Sequence, residues 1–404
     1  MDLNWSAADT AFRKAVQAFL AAELTEELRA ATRRMTSVYA PPALALEWQR
    51  RLHARGWLVP SWPIEHGGCG WTQVQSYIFA HECAAADAPP LSPMGLGMCG
   101  PVLLGHGTPE QKAHYLPRML RGEDFWCQGY SETGSGSDLA SLRMTAVRDG
   151  DDFVCDGHKI WTTHGNVANM IFCLVRTAKL ERPQQGITFL LIDMTSPGVT
   201  VQPIVSLSGE HIQNMILFDG VRVPVANVVG AIDDGWTVAK YLMEFERGGS
   251  LYAPGIAARL RRLAAHLKET GGCPDIERRM AAIGVDIAVM DALEVQFMMR
   301  LSAGGAPGAM ASMLKVLGTE LSQALTEIEL AAAGAYAAAW QPHMTVPGGP
   351  TPGFRPPQDG QGAGTPYAAK AAAKYFNDRA GSIYAGTNEI QRNILWGALN
   401  RQAR

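Results

Sequence analysis

Met144-Thr145-Ala146-Val147-Arg148-Asp149-Gly150-Asp151-Asp152-Phe153-Val154-Cys155-Asp156-Gly157-His158-Lys159-Ile160-Trp161-Thr162 interrupts a chain that otherwise reads as helix. Met144–Val147, Asp152–Cys155 and Lys159–Thr162 are short runs with strand character. Asp149-Gly150 and Asp156-Gly157 separate them, and such dipeptides favour tight hairpins because they tolerate positive φ. Met170–Val175, Ile187–Ile192, Val199–Ile204 and Met215–Phe218 continue the pattern. The spacing predicts a small antiparallel barrel or sandwich between about 123 and 230.

Helical periodicity lies on both sides. Ser6-x-x-Asp9 is a helix start, followed by Phe12, Val16, Phe19, Leu20, Leu24 and Leu28 at helical spacing. A helix from Pro42 stops at Gly56, a Gly/Pro loop runs from Pro60 to Gly70, and Tyr77–Ala86 and Pro109–Arg121 are helical again. Beyond the β region, Ala/Leu/Met-rich stretches at 236–268, 275–301, 308–340 and 366–401 predict a bundle. Residues 341–366 hold six Gly and seven Pro and read as an exposed loop. The expected fold is α+β and multi-domain: an N-terminal helical domain (1–122), a central β domain (123–230) and a C-terminal four-helix bundle (231–404).

The chain has 404 residues, 47% apolar and 18% charged, enough to bury a large interior and to leave apolar surface for subunit contacts. Its net charge of -3 supplies no global field for nucleic acid or anionic lipid. Seven cysteines, odd in number and never in a C-x-x-C pair, point to reduced thiols in a cytoplasm. No basic region followed by an apolar run opens the chain, and no run of about 18 apolar residues occurs in it. A soluble cytoplasmic protein, neither secreted nor membrane-spanning, is expected. The ten histidines form no H-x-x-x-H or Cys/His cluster, so no metal site is expected.

Two segments carry chemistry. Tyr130-Ser131-Glu132-Thr133-Gly134-Ser135-Gly136-Ser137-Asp138 offers hydroxyls and backbone N–H groups that can approach a flat ring or phosphates; its plain alternative is a polar loop entering a β domain. Lys159-Ile160-Trp161-Thr162-Thr163 places an indole where it can cover an aromatic cofactor; its plain alternative is a core tryptophan.

With Gly56-Trp57, Pro63-x-x-x-Gly67-Gly68, Val221-Arg222-Val223-Pro224 and the terminal Tyr384-Ala385-Gly386-Thr387-Asn388-Glu389-Ile390-Gln391-Arg392, these segments resemble the acyl-CoA dehydrogenase family in order and spacing. The resemblance covers nearly the whole chain. It implies non-covalent FAD and oxidation of an acyl-CoA thioester to a trans-2-enoyl-CoA, with an electron-transferring flavoprotein as acceptor. Gln128, Ser131, Trp161 and Thr163 would face the flavin, Ser137 would lie near thioester and ring, and Thr387 and Glu389 would sit near the adenosine side. Ala385 stands where many members carry the catalytic glutamate, yet its backbone N–H still serves as a donor to the thioester carbonyl. In relatives with a displaced base, the carboxylate lies on an earlier bundle helix and is followed by arginine. Met243-Glu244-Phe245-Glu246-Arg247 occupies that place. Glu244 and Glu246 stand about 200° apart on a helix, and the Glu-Arg order selects Glu246 as base with Arg247 beside it.

The resemblance weakens where relatives hold the FAD diphosphate. No clear Arg-x-x-Phe occurs around Cys273–Arg279, where Arg278 or Arg279 would have to substitute, and Glu329-Leu330-Ala331-Ala332-Ala333 replaces Gln-x-x-Gly-Gly. Either a homo-oligomer or an α2β2 heterotetramer is open, as are straight-chain, branched, dicarboxylic and steroid-derived substrates. Competing readings are a flavin monooxygenase or oxidase on the same fold, with His164 as the residue to watch, and a catalytically silent partner subunit. The cluster Arg259-Arg261-Arg262-Lys268 is the one stretch that would suit DNA, and it reads rather as a solvated helix face.

Overall fold

The computed structural model describes residues 5–248, 251–305 and 308–402, with the side chains of 244–248 and 401–402 outside that description. Two compact units emerge, one of Met1–Arg51, Gly70–Leu91 and Arg247–Arg404, the other of Leu52–Cys69 and Ser92–Glu246. The helices are α1 (Ala7–Glu23), α2 (Glu26–Arg33), α3 (Pro42–Arg55), α4 (Gln73–Ala85), α5 (Gly100–His106), α6 (Pro109–Arg121), α7 (Gly235–Gly248), α8 (Ala253–Thr270), α9 (Pro274–Ser302), α10 (Gly308–Ala333), α11 (Pro366–Asp378) and α12 (Asn388–Gln402).

In the first unit, α1 starts where the Ser6 hydroxyl accepts the Asp9 amide at 3.0 Å, and α4 starts with a reciprocal Thr72/Gln75 capping box. Two sequence expectations need revision. The stretches 236–268 and 366–401, expected as single helices, are the pairs α7/α8 and α11/α12. Between α11 and α12 the backbone turns through Ala385 at φ +56 and Gly386 at φ +75. Buried polar groups pin this turn: Asn388 accepts the Lys315 ammonium at 2.8 Å, and Gln391 donates to the Ala385 carbonyl at 3.1 Å. The Pro/Gly segment lacks long helices but is anchored. Val346 exchanges backbone hydrogen bonds with Arg34 and Thr36, and buried Gln341 donates to the Ala363 carbonyl.

The second unit is built on an eight-stranded sheet: β1 (Trp126–Gly129), β2 (Thr145–Asp149), β3 (Asp152–Thr163), β4 (Met170–Arg176), β5 (Ile187–Asp193), β6 (Val199–Val205), β7 (His211–Pro224) and β8 (Val228–Val229). Its order is β6-β7-β3-β2-β4-β5-β8, with β1 on β4. The sheet is therefore open, and it is mixed, since β1 and β2 both meet β4 in parallel. That corrects the expected antiparallel barrel or sandwich. The Asn169 side chain accepts the Phe125 amide at 2.7 Å, which ties the residue before β1 to the residue before β4 at the starts of these two parallel strands.

The second expected hairpin is also absent. Asp156-Gly157 lies inside the continuous strand β3, because both halves of β3 pair with the long β7, Phe153 opposite Val223 and Lys159 opposite Ile216. Gly157 absorbs a register shift at φ +139, where a side chain would strike the Met144 backbone. Ile171, Cys173, Val175, Leu190, Ile192, Ile216 and Phe218 fill the core beneath the sheet.

Candidate active site

Trp161 is the outstanding feature of the second unit. The β3–β7 register slips between Lys159 and Thr162, so Lys159 and Thr162 point inward while the Trp161 indole is 62% exposed. Its backbone is left-handed, φ +61, a conformation that costs a non-glycine residue roughly 1–2 kcal/mol. A large ring turned outward at such a cost marks a surface shaped to be covered. The Ile160 amide donates to the Ser131 carbonyl at 2.9 Å, which seats the hydroxyl loop beside this strand.

A buried ion pair holds that loop in place. The Lys159 ammonium, wholly buried, donates to Glu132 at 2.8 Å and to the Tyr130 carbonyl at 3.3 Å. The two Glu132 oxygens also accept the amides of Arg143 and Met144 at 2.7 and 2.9 Å. Burial pushes the Glu132 carboxyl up, but the Lys159 charge and these amides outweigh it and hold it below its usual value. Ser135 closes the loop from within, its hydroxyl donating to the Asp138 carbonyl at 2.9 Å. Glu132 and Lys159 were not singled out in the sequence. The available signal was a lysine in an otherwise apolar strand facing a glutamate in the glycine-rich loop.

Of the expected flavin contacts, the structure thus brings Ser131 and Trp161 together. Gln128 lies half-buried on β1, Thr163 pairs with Gln213 of β7, and Ser137 is exposed on the loop. An outward indole flanked by hydroxyls and open loop glycines fits an isoalloxazine ring, so the residues present suit FAD. His164 is 5% exposed, its amide donating to the Ile212 carbonyl at 2.8 Å, and it is not presented to a ligand. Replacing Trp161 with Gly removes the ring and the backbone strain together. The apoprotein is expected to stay within about 1 kcal/mol of wild type, while FAD affinity falls by the ~1–3 kcal/mol typical of stacking on an aromatic side chain. Flavin titration beside urea unfolding checks both; a parallel loss of stability would make Trp161 a structural residue.

The terminal motif belongs to the first unit. Among the described residues no acceptor takes the Ala385 N–H, which leaves it available as a donor. Thr387 caps α12, accepting the Ile390 amide at 3.2 Å, and exposed Glu389 is held below its usual pKa by its own amide and the Thr387 hydroxyl. Ala385→Gly should relieve the left-handed strain and stabilise the fold by up to about 1 kcal/mol, with the N–H retained. Chemical denaturation reads this directly, and a destabilised variant would contradict the strain assigned to φ +56.

Glu246 and Arg247 lie on α7, but their side chains fall outside the described residues. A rival acid is Glu294, wholly buried on α9 and pushed by burial up to about 7. Its oxygens accept the Tyr252 and Ala253 amides, at 2.6 Å for Tyr252, so it caps α8. Arg259 is no solvated surface cation: it is buried between Glu329 at 2.6 Å and Asp378 at 3.1 Å. That corrects the expected solvated face for Arg259, while Arg261 and Lys268 of the same cluster are exposed. Glu329, the residue standing at the family's glutamine, is thereby consumed inside the bundle. Among the described residues no group of His, Cys, Asp and Glu is arranged for a metal, and no helix is long and apolar enough to cross a membrane.

Three family models match this architecture in order: acyl-CoA dehydrogenase N-terminal domain at residues 6–123, middle domain at 127–221 and C-terminal domain at 233–399. The chain belongs to the acyl-CoA dehydrogenase family. Acyl-CoA dehydrogenase IpdE1 of Mycobacterium tuberculosis is 35% identical over 353 residues, 86% of this chain and 85% of the relative. Among solved structures, the Tcur3481-Tcur3483 steroid ACAD superposes with a TM-score of 0.81 at 28% identity, covering 100% of this chain and 99% of that one. The ChsE4-ChsE5 complex from Mycobacterium tuberculosis gives 0.78 at 27% identity, with 99% of each chain covered.

Proposed function

We propose that this acyl-CoA dehydrogenase oxidises a bulky acyl-CoA thioester to its trans-2-enoyl-CoA, with Glu246 taking the α-proton. Bound FAD would supply the acceptor for the β-hydride. The Ala385 N–H donates to the thioester carbonyl, where negative charge grows as the α-proton leaves. Arg247 follows the base in sequence and belongs to the same helix. Gln128, Ser131, Trp161 and Thr163 hold the flavin, Ser137 lies toward the thioester, and Thr387 and Glu389 lie toward the adenosine end. The observation that carries this reading is the strained, exposed Trp161 beside the Ser131 loop.

A bulky acyl group is supported by the small side chain at Ala385 and by the steroid enzyme with which the chain superposes. Reduced flavin passes its electrons to an electron-transferring flavoprotein. Anaerobic screening of straight-chain, branched, alicyclic and steroid-derived CoA esters for flavin bleaching tests the assignment. Bleaching confined to straight chains would sink the bulky class, and bleaching by none would sink the activity.

The assembly includes a second, different chain. Glu329, an anionic side chain tied to Arg259, stands where relatives carry a glutamine at the cofactor and would repel a diphosphate, and the two superposed structures are each of a pair of proteins. Purification of the lone chain as a stable, fully flavinated homo-oligomer would contradict this.

A further inference from the structure

The first unit contains a cavity of about 440 Å³, lined by none of the residues assigned above to flavin, thioester or base. Its walls are α2, the residue Asp87 just beyond α4, α8 and the start of α11. Five cationic side chains, Arg33, Arg34, Arg261, Arg262 and Lys370, line it against two carboxylates, Asp87 and Glu269. This concentration of positive charge stands out in a chain whose net charge is -3.

Internal partners neutralise it only in part. Arg33 pairs with Glu26 at 2.5 Å and with Asp87 at 3.2 Å, and Asp87 is shared with Arg262. The Arg262 Nε is buried and has no hydrogen-bond partner. Among the described residues Arg261 forms no ion pair, and the Arg34 side chain, just beyond α2, donates only to the Ala30 carbonyl, at 3.4 Å. Lys370 is 6% exposed and donates to the Arg33 carbonyl at 2.7 Å. Its ammonium also sits 4.8 Å from the centre of the Tyr367 ring, whose plane stacks on His266. A buried ammonium and an unsatisfied guanidinium N–H are each costly, and an anion with several acceptor oxygens would relieve both.

We propose that this cavity binds a phosphate-bearing small-molecule anion, held by the Arg33, Arg34, Arg261, Arg262 and Lys370 side chains. Phosphate suits it better than carboxylate. Guanidinium forks on two elements, α2 and α8, surround the space, and tetrahedral oxygens can accept from several directions where one planar carboxylate cannot. The volume exceeds that of a single phosphate and admits an anhydride or a nucleotide.

Lys370 couples this binding to pH. Burial, then the neighbouring Arg262 and Arg259 charges on α8 and Lys374 on α11, lower its pKa to about 7, against the opposing pull of Glu329 on α10. Asp87 beyond α4, Arg33 on α2, and His266 and Glu269 on α8 complete its charged and titratable surroundings. A bound anion favours the ammonium form. Affinity is therefore full at pH below about 7 and falls up to ~tenfold per pH unit above it, until the pKa of the complex is reached.

Calorimetric titration of the FAD-loaded protein with pyrophosphate tests the site, with inorganic phosphate, ADP and citrate as comparisons. Pyrophosphate should bind saturably and more weakly as the pH rises above 7. Exposed Arg261→Ser, a change the fold tolerates, should weaken it about tenfold. Lys370→Met should flatten the pH dependence. ADP binding tighter than pyrophosphate, and equally sensitive to Arg261→Ser, supports a nucleotide; equal affinities support a free phosphoanhydride. Absence of saturable pyrophosphate binding at millimolar concentration overturns the proposal. So does binding untouched by Arg261→Ser, or citrate binding as tightly as pyrophosphate. None of these outcomes depends on flavin bleaching, which reports the dehydrogenase reading separately.

Discussion

Glu246→Gln is expected to abolish measurable bleaching of the flavin by acyl-CoA while FAD stays bound. Loss of a positioned general base typically costs about 10²–10⁴ in rate, and here the α-proton is too weakly acidic to leave unassisted. The amide keeps the size of the carboxylate, so binding of thioester and cofactor should persist. α7 is continuous helix from Gly235 to Gly248, which places Glu244 and Glu246 about 200° apart around its axis. Only one of them can serve a given pocket. Glu244→Gln is therefore the control, expected to bleach at nearly the wild-type rate. Stopped-flow absorbance under anaerobic conditions gives both numbers. A Glu246→Gln enzyme that bleaches normally would move the base elsewhere, and Glu244 would be the first place to look.

Breaking the Glu132–Lys159 pair is the second large effect. Lys159→Met leaves Glu132 with two amides in a buried site, and Glu132→Gln leaves a fully buried ammonium facing a neutral amide. Removing one partner of a buried ion pair costs about 3–5 kcal/mol. The sign with pH follows from the depressed Glu132 pKa: its stabilisation is complete above the carboxylate's unfolded value and is lost as pH falls through the lower folded value. The wild type should thus lose the Glu132 contribution in acid, whereas either single variant lacks it at neutral pH. Because Glu132 ties the hydroxyl loop to β2 and β3, flavin content should fall together with stability. The double variant Glu132→Gln/Lys159→Met should recover part of the stability, since no unpaired charge remains. Urea unfolding and the flavin-to-protein absorbance ratio are the readouts. Full flavination of a destabilised single variant would show that the pair supports the fold without shaping the flavin face.

Much of the helical part was legible because helix signals are local. Ser6 caps α1, Gly56 follows the end of α3 and Pro109 opens α6, each where its side chain or φ preference places it. The breaks in the bundle had local signals, Gly248-Gly249-Ser250 and Gly386-Thr387, but the left-handed backbone at Ala385 did not, since it depends on Asn388 and Gln391 finding buried partners. The nature of Arg259 was hidden for the same reason, since its acidic partners lie 70 and 119 positions away.

Sequence alone settled the succession of helix, sheet and helix, the family resemblance, and the replacement of the usual glutamate by Ala385, because these rest on residue identity and short-range periodicity. Tertiary structure decided which way Trp161 faces. Two-residue alternation from Lys159 would have turned the indole inward, and only the bulge against β7 and its left-handed backbone bring it to the surface. Tertiary structure also paired Lys159 with Glu132 and gathered five cations around one cavity. Such arrangements depend on strand register and on contacts between residues far apart in the chain, and no local pattern encodes either.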